Sequence, residues 1–202
     1  PLRKPWAFMT EYVTVDVSSA GTSSRDLTLT NANTGTTSAV LWAQTTSGAD
    51  PVTYGTFKNL NVVGNASTTT LFAVGFGSST ISTTSLGTGN SFNAVQNCNL
   101  SKAQYGIYSQ GASAANKNTG NVFTQNLMNT ASPNNIGRGG IWLGFENNVQ
   151  VTQNAISGVS YASSTDVFGI TLGLTAISTT GFTGNEVTNA TVARNSIGSV
   201  VQ

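Results

Sequence analysis

Short alternations of apolar and polar residues recur along this chain, separated by turns rich in Ser, Thr, Asn and Gly. Tyr12-Val13-Thr14-Val15-Asp16-Val17 has the period of two that predicts a half-buried strand. Leu27–Asn31 predicts a second strand and Ala39–Trp42 a third. The arrangement then returns: Phe57–Val62 goes with Leu71–Val74, and Val95–Leu100 with Gly106–Tyr108. Between Gly120 and Gly173 the chain says nearly the same thing twice. Val122–Met128 is echoed by Val149–Ile156, and Gly140–Leu143 by Gly169–Leu172. A last copy is Val192–Ile197.

One Asn per copy falls at Asn31, Asn59, Asn97, Asn126, Asn154 and Asn195, in steps of 28, 38, 29, 28 and 41 residues. Self-similarity at such a period is the mark of a solenoid. The two larger steps predict outward loops, for which Ser78–Asn90 and Thr175–Asn189 are the Thr/Ser/Gly-rich candidates. A helical reading fails because no apolar stripe of 3.6-residue period is sustained and β-branched residues and Gly recur throughout. A hairpin sandwich shares the frequent turn signals, but does not call for the same second phrase to follow the first in copy after copy. Parallel coils do. The fold class predicted is all-β, a parallel β solenoid of about six coils with two loop insertions.

In such a stack, equivalent residues lie about 4.8 Å apart along the axis. Asn tolerates the left-handed backbone of a tight corner, and stacked amides can bond one another as a ladder. Val95, Leu100, Phe123, Met128, Val151, Ile156, Val192 and Ile197 are expected to point inward. Gly106, Gly140 and Gly169 are expected at corners where a side chain would clash.

Composition sharpens this picture. Only 7% of the 202 residues are charged, against the usual quarter, while 38% are hydrophobic, enough for a core. The net charge is +1 with the basic residues scattered, so nucleic-acid binding finds no basic stripe. No apolar run approaches the roughly 20 residues of a membrane span. The single cysteine, Cys98, reads as a small buried hydrophobe, and the lack of His removes the commonest metal ligand and neutral-pH base. The chain starts at Pro1 and stops at Gln202 in mid-pattern, so the expectation is one β-helix segment over 1–202, a piece of a longer protein, with residues 1–10 an irregular lead-in.

The Gln-Asn phrase followed by Gly-Ile-aromatic resembles the right-handed parallel β-helix repeat of the pectin-lyase-like superfamily. Asn97–Tyr108 is especially similar to segments of large secreted or cell-surface bacterial proteins, and Tyr12–Asp16 with Leu27–Leu29 matches their usual opening, except that Val17 stands where those segments carry Gly. The resemblance implies a right-handed parallel β-helix in an extracellular setting. It does not imply an activity, because that superfamily holds lyases, hydrolases, tailspikes and adhesins.

The search for chemistry finds little. A lyase on this scaffold needs a Lys or Arg base, and a glycoside hydrolase a pair of carboxylates. Lys102 and Arg138 lie just ahead of second strands, Arg138 in the turn-like Gly137-Arg138-Gly139-Gly140. Glu146 and Asp166 are 20 residues apart, off the 28-residue register, and read as solvated loop charges before they read as a catalytic pair. Trp42, Tyr108 and Trp142 occupy corresponding places, either as an outward platform for sugar rings or as core. No metal motif or phosphate loop is present, and no cofactor is expected. The expected role is a non-catalytic stalk or adhesin module, its partners polysaccharide, other surface components or the rest of its own chain. The alternative is a polysaccharide lyase or glycoside hydrolase with its site on the β-helix surface.

Overall fold

The computed structural model of the chain describes residues 6–8, 11–19, 21–46, 50–162, 166–177 and 184–202. Among them there are strands and turns but no helix. Three sheets of six strands each account for almost all of the strand structure. Sheet 1 contains Trp6–Phe8, Ala39–Thr45, Phe72–Ser78, Ala103–Gln110, Ile136–Gly144 and Phe168–Leu172. Sheet 2 contains Thr14–Asp16, Thr56–Lys58, Ala94–Gln96, Val122–Thr124, Gln150–Thr152 and Thr191–Ala193. Sheet 3 contains Leu27–Thr30, Leu60–Val63, Asn99–Ser101, Leu127–Met128, Ala155–Ser160 and Ser196–Val201.

Within each sheet the strands lie in the order in which the chain visits them, and every pairing is parallel. A hairpin sandwich would pair its strands antiparallel, so that rival is excluded. The chain passes from sheet 2 to sheet 3 to sheet 1 and back again, which fits a parallel β-helix. Trp6–Phe8 pairs with Leu41–Ala43, adding a strand inside the stretch expected to be irregular.

Three inward columns fill the space between the sheets. Sheet 1 supplies Leu41, Val74, Ile107, Ile141 and Ile170, which sit in register. Sheet 2 supplies Phe57, Val95, Phe123 and Val151, and sheet 3 supplies Val62, Leu100, Met128 and Ile156. Each of these side chains in sheets 2 and 3 is at most 1% exposed, burial that stabilises by about 1.5–3 kcal/mol apiece. Val192 and Ile197 continue two of the columns, but on the outermost strands they remain 45% and 51% exposed.

The phrases read as single strands are broken in two. Phe57–Val62 and Val95–Leu100 each bend at an Asn with positive φ, Asn59 and Asn97, which separates sheet 2 from sheet 3. In later copies this left-handed position falls to Gln125, Gln153 and Arg194. The Asn one residue on then turns inward. Asn126, Asn154 and Asn195 form a ladder in which the N–H of Asn126 donates to Oδ1 of Asn154 at 3.0 Å, and that of Asn154 to Oδ1 of Asn195 at 3.0 Å. Each Nδ2 also caps a carbonyl of the preceding strand: Val95, Phe123 and Val151 respectively. The six asparagines therefore belong to different positions, and Asn31 lies at the sheet 3 to sheet 1 corner, beside Val63 and Ala39.

Gly106, Gly140 and Gly169 lie inside sheet 1 strands, not at corners. A side chain there would still clash: a Cβ on Gly106 meets Sδ of Met128 at 2.3 Å, and one on Gly140 meets the Gly169 carbonyl at 2.5 Å.

Candidate functional site

The outer face of sheet 1 is not open. Its outward positions carry a second apolar layer of Trp42, Leu71, Phe72, Tyr105, Tyr108 and Trp142. The segment after Ser78 and the one after Leu172 fold back over this layer, laying Ile81, Leu174 and Ile177 against it. The coverage is fixed by hydrogen bonds from the rings. Trp42 Nε1 donates to Ser78 O at 3.0 Å, Tyr108 Oη to Ser85 O at 2.9 Å, and Trp142 Nε1 to Leu174 O at 2.8 Å. Trp42, Tyr108 and Trp142 thus do project outward from the sheet, as one reading of their spacing had it, yet each is at most 1% exposed. Their faces are used by one another: Phe72 stacks on Tyr108 at 4.5 Å, and Tyr108 meets Trp142 edge-on at 5.5 Å. A sugar reaches them only after the covering segments have moved. Burial pushes the Tyr108 hydroxyl well above its ordinary pKa, against the Ser85 hydrogen bond.

The exposed aromatics are elsewhere. Tyr12, Tyr54 and Phe92 share the left-handed corner that leads into sheet 2, and their rings stack at 4.9 and 5.0 Å, nearly parallel. Phe92 completes the stack above Gly120, where a Cβ would lie 2.7 Å from the ring. These rings are 46–72% exposed; Tyr54 lies between the other two, while Tyr12, at the end of the stack, has a ring partner on one face only. Their signal in the sequence was the recurrence of a residue just before each sheet 2 strand, masked because its identity changes from Tyr to Phe to Gly.

Beside the covered layer, at the edge where sheet 1 strands begin, lies a cavity of about 340 Å³ lined by Thr68, Ser82, Gln104, Tyr105, Arg138 and Tyr161, among others. Arg138 reaches it through a β-bulge. Ala103 pairs with Ile136 and Tyr105 with Gly139, so two residues, Gly137 and Arg138, oppose the single Gln104. The flanking glycines are forced: a Cβ on Gly137 would meet Ser67 O at 2.6 Å, and one on Gly139 the Phe168 ring at 2.3 Å. The stretch expected to be a flexible turn is thus a bulged strand. The guanidinium lies 4.2 Å from the centre of the Tyr161 ring. Partial burial works against its charge, but the hydroxyls of Tyr161 and Tyr105 beside it prevail and hold its pKa above the ordinary arginine value.

A larger groove, about 470 Å³, runs where sheet 2 turns into sheet 3, lined by Thr22, Ser23, Lys58, Asn59, Gln96, Asn97 and Gln125. Lys58 is paired with Asp16 at 3.0 Å. Hydrogen bonds from Asn59 and then from Lys58 lower the Asp16 pKa to about 2. Arg25 donates to the carbonyl of Asn97 at 2.8 Å, tying the 21–26 segment across two circuits of the chain.

Glu146 is not a solvated loop charge. It is 0% exposed, at the end of an interior line of amides: Asn93 N–H donates to Asn121 Oδ1, and Asn121 Nδ2 donates to Glu146 Oε2 at 3.1 Å. Ser109 Oγ and Asn118 Nδ2 complete its surroundings. Burial raises its pKa to about 7, against the opposing pull of these three donors. Asp166 is exposed and stands before the sheet 1 strand that pairs with Gly139–Leu143, whereas Glu146 follows Gly144. At about 3.3 Å per residue that places the two acids roughly 25 Å apart, too far for paired carboxylate chemistry. Lys102 occupies a left-handed corner, its N–H bonded to Asn134 O at 3.0 Å.

Cys98 is fully buried, and burial lifts its thiol pKa to about 11. No cluster of three potential metal ligands occurs among the described residues. No helix among them is long and apolar enough to cross a membrane. Comparison of the chain with family profiles, curated proteins and solved structures gave no match.

Proposed function

We propose that this chain is a right-handed parallel β-helix of about six coils with two loop insertions, working outside the cell or on its surface as a non-catalytic scaffold or adhesin module that contacts carbohydrate. The observation carrying this reading is the chemistry of the groove at the sheet 2 to sheet 3 turn and of the cavity at the bulge. Among the described residues that line them are amides, hydroxyls, one lysine and one arginine, and no carboxylate. Such a lining donates and accepts hydrogen bonds with sugar hydroxyls but holds no acid pair for hydrolysis. Asp16, next to the groove, is held by Asn59 and Lys58, Asp26 is held by Ser19 and Ser24, and Glu146 is sealed inside.

The test is a glycan array probed with the chain, followed by an assay of each bound glycan for unsaturated products and new reducing ends. Binding without product supports the module. Product formation would establish the polysaccharide lyase or hydrolase instead, and no binding at all would leave only a scaffold whose partners are other parts of its own protein.

A further inference from the structure

The cavity at the bulge contains a cation with no carboxylate partner. Arg138 Nε is shielded from solvent and has no hydrogen-bond partner. The ion pairs among the described residues join Lys58 to Asp16 and Lys117 to Glu186, leaving Arg138 without a carboxylate. A buried donor left unpaired costs about 1–3 kcal/mol, so native structures rarely keep one without a use. Tyr161 occupies one face of the guanidinium at 4.2 Å. The hydroxyls of Tyr161 and Tyr105 hydrogen-bond the group but bring no negative charge to balance it. A guanidinium edge matches the two oxygens of a carboxylate or sulfate in geometry and charge.

The backbone around Arg138 is shaped for this placement. The bulge turns the strand locally, and Gly137 and Gly139 admit no side chain against Ser67 O and the Phe168 ring. Gln104, opposite the bulge, is anchored through its own N–H to Thr70 O at 2.7 Å and through Nε2 to Thr68 O at 3.3 Å. Thr36, Thr37, Thr68, Ser82 and Thr83 line the rest of the wall together with Leu71, a mixed polar and apolar lining that suits a sugar ring. At about 340 Å³ the space takes a single monosaccharide unit, near the lower end of the ~300–1,000 Å³ usual for small-ligand sites.

We propose that this cavity binds one singly charged oxyanion, a carboxylate or a sulfate ester, carried on a sugar ring, with Arg138 pairing the anion edge-on while Tyr161 holds the guanidinium flat. This rests on the reading of the chain as a carbohydrate-contacting module, and adds the charge of the unit recognised. No bond is made or broken, and no metal bridge takes part.

The experiment is titration calorimetry or ligand-observed NMR with glucuronic acid, glucose 6-sulfate and glucose, on the unaltered chain and on Arg138→Gln, Arg138→Lys and Tyr161→Leu. Thermal melts confirm that each variant folds. The expected result is that at least one charged sugar binds ten times or more tightly than glucose. Arg138→Gln should abolish that preference, and Arg138→Lys should restore part of it. Tyr161→Leu should weaken the charged sugar several-fold. Which of the two charged sugars prevails identifies the oxyanion. Equal binding of all three sugars, or a preference that survives Arg138→Gln, overturns the oxyanion site while leaving a neutral-glycan module standing. Failure of every probe to bind, with glycans still captured on an array, overturns this site alone, whereas failure of both removes the carbohydrate reading as well.

Discussion

The backbone N–H of Cys98 donates to Oδ1 of Asn126, 28 residues further along the chain, at 3.0 Å. Cys98 therefore occupies the rung that Asn126 and Asn154 fill in the next two circuits. Its Sγ lies 3.4 Å from Phe57 O, the carbonyl equivalent to those that Asn126 and Asn154 cap through Nδ2. A buried hydrophobe replaced by an amide is ordinarily destabilising, because the amide lacks partners. Here the partners are already in place. Cys98→Asn is expected to leave stability within about 1 kcal/mol of the parent, or raise it. Asn154→Ala should cost about 4 kcal/mol, because it strips Asn126 N–H and the Phe123 carbonyl of partners that are buried. Denaturant unfolding of the two variants measures both, and a large loss for Cys98→Asn would contradict the ladder.

Glu146 makes stability depend on pH in an unusual direction. Its folded pKa of about 7 lies above the ordinary 4.5, so the fold favours the protonated acid. The stability it allows is fully present below about pH 4.5 and is lost as pH rises through 7. Glu146→Gln, which mimics the protonated form, should be about 2–4 kcal/mol more stable than the parent at pH 8, at ~1.4 kcal/mol per pKa unit. At pH 4 the difference should largely vanish. Melting curves of the two proteins across this range test it, and parallel pH profiles would show that Glu146 does not titrate in the fold.

The closed aromatic layer has an optical readout. Trp6 is 57% exposed, while Trp42 and Trp142 are each 1% exposed and bonded to carbonyls through Nε1. Acrylamide should therefore quench one tryptophan population readily and leave the other protected, with blue-shifted emission. Trp6→Phe should remove the accessible population. Quenching of all tryptophans alike would mean that the covering segments open in solution and that the sheet 1 face is available to ligands.

How far the sequence could be read follows from the same residues. Strand positions were legible because Val95, Phe123 and Val151 recur on one face and stack in register. Corners were less so, since the left-handed position is taken by Asn59, Asn97, Gln125, Gln153 and Arg194 in turn, carboxamides of two lengths and then a guanidinium, which share a backbone angle but not one residue type. Asn was read as the corner residue throughout, although Asn126 and Asn154 lie one place further on, turned inward. Trp42 and Trp142 left two readings open, outward or core, and they satisfy both. They point out of the sheet and are then covered by segments whose Ser/Thr/Gly composition gave no hint of packing. Glu146 was misread as solvated because its partners, Ser109, Asn118 and Asn121, come from the preceding circuit. Arg138 was picked out, but the bulge that places it depends on a pairing with Gln104 that no local pattern encodes.

The most direct measurement takes the strongest ligand from the glycan array, determines its stoichiometry and affinity by calorimetry, and incubates the same mixture for a day with calcium supplied. Saturable binding, with the glycan recovered at unchanged length and without unsaturated ends, is the expected result. Shortened or unsaturated glycan, formed by the parent and lost on replacing Lys102, Arg138 or Asp166, would contradict it.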